Sequence, residues 1–104
     1  MSEDFNEIID FTICEFLFDF KNESNYTSLG ALCNNLRYSF VFNTRLSNEL
    51  LNIVKKIVKK LNYLYDLNQE QSINHIFRLL KDEKWKKHSE LIVFMKKNLN
   101  ICYM

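Results

Sequence analysis

The chain has no proline and a single glycine, Gly30, in 104 residues. This scarcity limits the fold more than any other feature. Sandwiches and barrels turn sharply and often, and sharp turns draw on both residues. Phosphate-wrapping loops need glycine as well. Helix interiors exclude both. A chain that does without them is expected to be all-α, and its length fits one domain, residues 1–104.

Hydrophobic spacing then places the helices. In SNELLNIVKKIVKKLNYLYDL, residues 47–67, Leu50, Ile53, Val54, Ile57, Val58, Leu61, Leu64 and Tyr65 fall at the helical period behind a capping Ser47. Asn68 followed by Gln71 is a capping-box pair, so another helix should start near Gln69 and turn Ile73, Ile76, Phe77 and Leu80 inward. A first helix is expected over 3–20, capped by Ser2. A second is expected over 29–38, capped by Thr27 or Ser28. The last is expected over 89–99, with Leu91, Ile92, Met95 and Leu99 inward and Trp85 and His88 extending that row. KNESNYTS reads as a loop, YSFVFNT as a helix end running into a buried connection, and DEKWKK as a turn or short helix. These pieces predict a compact small helical bundle or orthogonal array of about five helices.

Net charge is close to neutral, but the charges are unevenly placed. Residues 1–23 carry seven carboxylates and one lysine, a net −6, whereas residues 24–104 carry 13 basic and six acidic residues, a net +7. The imbalance falls on the first helix. On a wheel of about 100° per residue, Phe5, Ile9, Ile13, Phe16, Leu17 and Phe20 form one broad apolar side. Phe11 and Phe18 lie on the other side with Cys14 between them. Asp4, Glu7, Asp10 and Glu15 surround this second stripe, and Asp19 lies close by. Aromatic anchors inside a charged ring are how interfaces concentrate binding energy, and carboxylates steer in a basic partner. The competing explanation is packing, in which the first helix lies between two layers and other helices cover Phe11 and Phe18.

A second surface comes from Lys55, Lys56, Lys59 and Lys60, opposite the apolar row of their helix and near Asn52 and Tyr63. Such a row suits phosphates, so a nucleic-acid-binding module is the alternative reading. Arginine, the usual reader of guanine edges, is represented only by Arg37, Arg45 and Arg78.

Catalysis finds little support in the sequence. No HExxH, nucleophile elbow or phosphate-binding glycine loop occurs, and the only histidines, His75 and His88, read as packed or surface residues. The sequence points to no catalytic residue, no metal site and no cofactor. Cys14, Cys33 and Cys102 are odd in number and form no CxxC pair, which fits free thiols in a reducing compartment. With no basic leader before an apolar run and no apolar stretch long enough to span a bilayer, the expected location is cytoplasmic. The expected role is a small non-catalytic inhibitor that neutralises a basic, nuclease-like toxin through the first helix. Immunity proteins and antitoxins share this physical strategy. Oligomeric state has no signature in the sequence.

Overall fold

The computed structural model describes the backbone of residues 3–103 and the side chains of residues 4–99. The chain is all-α: α1 (Glu3–Glu23), α2 (Leu29–Val41), α3 (Asn48–Tyr65), α4 (Gln69–Lys81) and α5 (Trp85–Tyr103). No strand occurs among the described residues, and no helix among them is long and apolar enough to cross a membrane. The expected cap Ser2 lies outside the described residues.

Polar side chains start three of the helices. Ser28 Oγ accepts from the Ala31 N–H at 3.1 Å, and Ser47 Oγ from the Leu50 N–H at 3.3 Å. The capping box forms as its spacing predicts. Asn68 Oδ1 accepts from the Gln71 N–H at 2.8 Å, and Gln71 Oε1 accepts from the Asn68 N–H at 2.9 Å. Three helices exceed their expected limits. α1 continues to Glu23 because nothing in Lys21-Asn22-Glu23 breaks it, and it closes where Ser24 donates twice to the Lys21 carbonyl. YSFVFNT is helical as far as Val41, so α2 takes in half of the expected connection, and the remainder, Phe42, Asn43 and Thr44, is exposed and not buried as expected. α5 begins at Trp85, four residues before its expected start.

The turns are made without glycine. Asn43, Asp66 and Glu83 take left-handed φ values of 53°, 56° and 56°, and each follows the end of a helix. Asn and Asp tolerate this region because their short polar side chains bond locally. At Asn43 the chain reverses so that the Thr44 N–H donates to the Ser39 carbonyl at 3.0 Å, the long bond of a Schellman-type cap. Gly30 lies inside the first turn of α2 and has no positive φ.

α1 is the central element. Each of the other four helices packs against it, α3 also packs on α4, and α4 on α2. One core joins Ile9, Ile13 and Leu17 of α1 to Leu32, Leu36, Ile57, Leu61, Ile76, Leu79, Leu80 and Ile92. α3 buries Leu50, Ile53, Val54, Ile57 and Leu61 of its predicted row, whereas Leu64 is exposed. The inward row of α4 is turned from its expected position, burying Ser72, Ile76, Leu79 and Leu80 and leaving Ile73 and Phe77 at the edge. α5 departs further. It lies chiefly on α1 and buries Trp85, Ser89 and Ile92, while Leu91, Met95 and Leu99 remain exposed. Trp85 sets this rotation by packing beside Gly30, where a methyl group in place of the glycine hydrogen would lie 3.6 Å from the indole.

That spacing is ordinary van der Waals contact, so the Gly30 site can accept a methyl group. Gly30→Ala is expected to raise stability by about 0.4–1 kcal/mol by restricting the unfolded chain. A shift of the urea midpoint at unchanged slope measures it.

Candidate functional site

With four helices around it, α1 leaves only one arc to water. Asp4, Glu7, Ile8, Glu15, Asp19, Asn22 and Glu23 are exposed along that arc. Two contacts mark its borders. On one edge Thr12 Oγ1 lies 2.8 Å from Tyr65 Oη of α3, and Phe5 stacks edge-on to Tyr65 with centroids 5.9 Å apart. On the other edge lies Phe18, with the Lys96 ammonium of α5 4.9 Å above its ring, and from there Lys96 reaches across the arc to pair with Asp19. Asp4, Glu7, Glu15 and Glu23 form no ion pair among the described residues.

The aromatic stripe is less open than the wheel suggests. Phe11 and Phe18 are half-buried and pack against the core, and Cys14 between them is fully buried, its thiol 3.8 Å from the Trp85 carbonyl. The reason is α5, which docks along this side of α1. Asp10 departs from expectation altogether. It is 3% exposed, so it belongs to the interior and not to the wet acidic ring. Ile8 is the residue that sequence reasoning passed over. It is 52% exposed in the middle of the acidic arc. Its angle on the wheel, between Asp4 and Asp19, was the available signal.

Asp10 anchors a polar cluster at the meeting of α1, α4 and α5. The Arg78 guanidinium forks onto it, with Nη2 donating to Oδ1 at 2.5 Å and Nη1 to Oδ2 at 3.3 Å. His88 Nε2 lies 3.9 Å from Oδ2. Arg78 Nη2 is also 3.2 Å from His75 Nδ1, and as a permanent donor it requires that nitrogen to be unprotonated. Burial, and then the Arg78 charge, lower the His75 pKa against the opposing pull of Asp10. An open cleft of about 590 Å³ leads to the cluster, with Asn6, Glu7, Lys84 and Lys87 around its mouth. No three His, Cys, Asp or Glu side chains converge here or elsewhere among the described residues in a way that would hold a metal ion.

The lysines of α3 are all exposed but form two rows. Lys55 and Lys59 line a hollow shared with α4, whereas Lys56 and Lys60 lie about 100° further round, toward Asn52 and the 82%-exposed Tyr63. None of the four has an ion-pair partner among the described residues.

Comparison with known proteins returns no match: no family model, no curated protein and no solved structure aligns with the chain.

The ion pair is asymmetric, because the Asp10 side chain is 4% exposed and the Arg78 side chain 31%. Removing the arginine strands a buried carboxylate, so Arg78→Ala is expected to cost about 3 kcal/mol. Asp10→Ala leaves a cation that water can reach and should cost less, about 1–2 kcal/mol. Urea titrations of both variants test the order.

His75 carries a lower pKa folded than its ordinary 6.5. Its contribution to stability is therefore complete above about pH 6.5 and is lost as pH falls through the folded value, where the unfolded chain binds the proton first. His75→Asn is expected to flatten the stability–pH curve below pH 6.5, as followed by thermal melts.

Proposed function

We propose that this protein binds a basic protein through the exposed arc of α1, as a small inhibitor of immunity-protein or antitoxin type would. The observation that carries this reading is the combination of four carboxylates that form no ion pair among the described residues, Asp4, Glu7, Glu15 and Glu23, with an exposed Ile8 among them. Isolated apolar residues are common on surfaces, but one centred among carboxylates supplies both parts of a docking site. The carboxylates raise the encounter rate of a cationic partner. Ile8, with the outer edges of Phe11 and Phe18, supplies apolar area for the contact to bury.

Ile8 is already about half covered, so burying the remainder in a partner contributes roughly 1–1.5 kcal/mol. Asp19 is tied to Lys96, so it steers less than a free carboxylate would. Asp10 takes no part, because Arg78 already satisfies it inside the fold. A nuclease is a natural target chemistry, since a groove that holds phosphates also attracts a row of carboxylates.

The nucleic-acid alternative rests on the exposed Lys55, Lys56, Lys59 and Lys60. The two readings predict opposite results with the same set of variants. Immobilised protein should retain a basic protein from its source cells, and the purified partner should bind less tightly as salt rises. Ile8→Ser and the pair Glu7→Lys/Glu15→Lys should each weaken that complex at least tenfold. Neither changes a buried residue. Retention on DNA that disappears when the four α3 lysines become alanine, with no effect of the α1 variants, would replace this reading with the nucleic-acid one.

A further inference from the structure

We infer that the groove between α3 and α4 is a docking site for an acidic amphipathic helix from another protein. Its floor is apolar, made by Leu51, Val54 and Val58 of α3 and Ile73 of α4, and it encloses about 400 Å³. Lys55 and Lys59, one helical turn apart, stand on its rim. Leu51 is shared with a second hollow of about 300 Å³, where Phe40 and Leu46 continue the apolar floor and Arg45 adds another cation. No carboxylate among the described residues lines either hollow. Glu49 of α3 lies about 160° round the helix from the middle of the groove.

The shape and the charge select the occupant together. From Leu51 to Asn62 the groove follows α3 for twelve residues, roughly 16 Å, which matches three turns of a helix laid alongside. Recognition of a helix in a groove reads apolar anchors at i, i+3, i+4 and i+7, and the floor follows the same period, with Leu51, Val54 and Val58 at i, i+3 and i+7 of α3. Two lysines one turn apart on the same rim then pair with carboxylates one turn apart on the incoming helix. A nucleic-acid backbone would satisfy the lysines but leave Leu51, Val58 and Ile73 without a partner. Lys56 and Lys60 point away from the groove and take no part. This site lies on a different helix from the α1 arc, so either assignment can fail without the other.

The test uses a fluorescein-labelled synthetic helix of about 18 residues, with leucines along one face and glutamates flanking them. Its anisotropy is followed against the full-length protein. Saturable binding that weakens with salt is expected. Lys55→Glu/Lys59→Glu should weaken it at least tenfold and improve binding of the same peptide with lysines in place of glutamates. Leu51→Ser, at a 37%-exposed position, should weaken it by a similar factor, and Lys56→Glu/Lys60→Glu should leave it within about twofold. Circular dichroism confirms that each variant is folded. The assignment is overturned if the acidic peptide does not saturate, or if the two lysine pairs matter equally. It is also overturned if Leu51→Ser has no effect while a DNA duplex binds through all four lysines.

Discussion

Four helices bury their apolar faces on α1, so α1 must be apolar around most of its circumference. This explains a helix that carries phenylalanine on two sides. All five of its phenylalanines, Phe5, Phe11, Phe16, Phe18 and Phe20, pack against the common core, Phe5 meeting Tyr65 of α3 and Phe18 lying under Lys96 of α5. What remains is one arc, and its content is mostly charge. A central helix with one strongly acidic exposed strip is therefore a product of the packing, before any partner is considered. The net −6 of residues 1–23 and the +7 of the remainder also hold the assembly together where they touch, at Asp10–Arg78 and Asp19–Lys96.

The first of these pairs sits where three helices meet. A carboxylate in that position cannot be left unpaired, so it ties the angle of α1 to that of α4 and draws His88 of α5 toward the same point. Hydrophobic burial alone would tolerate some sliding of these helices. A forked arginine contact tolerates much less, because both of its hydrogen bonds are directional. The left-handed residues at Asn43, Asp66 and Glu83 fix the chain reversals in a similar way. Glu83 is held in place by Arg37 at 3.1 Å and Lys86 at 3.2 Å.

The legible parts of this fold are those in which one helix decides its own geometry. α3 has a one-sided pattern and a serine cap, and α4 has a capping box, so their limits can be read directly from the residues. α5 has apolar residues on several sides. The spacing of Leu91, Met95 and Leu99 is as good a helical row as that of Trp85, Ser89 and Ile92. Only the fit of an indole beside Gly30, and of a small serine against the body, decides between them. The acidic arc was legible in Asp4, Glu7, Glu15 and Asp19, all of which are exposed. Asp10 was not, because its partner lies 68 residues away in sequence and no local pattern announces such a pairing. The apolar groove beside Lys55 and Lys59 was hidden for the same reason, since it closes only where Gln69 and Ile73 of another helix complete its wall.

The seating of α5 makes Cys14 a natural timekeeper. Burial, with the nearby Cys33 and Asp10 charges, raises the thiol far above its ordinary pKa, so the docked form carries almost no thiolate. Cys33 is pushed up to about 12 by burial as well. Cys14 lies under the first turn of α5, which rests chiefly on a single neighbour. Each departure of that turn would hydrate the sulfur and restore its reactivity. Alkylation of Cys14 would therefore report any opening that lifts the first turn of α5 from α1.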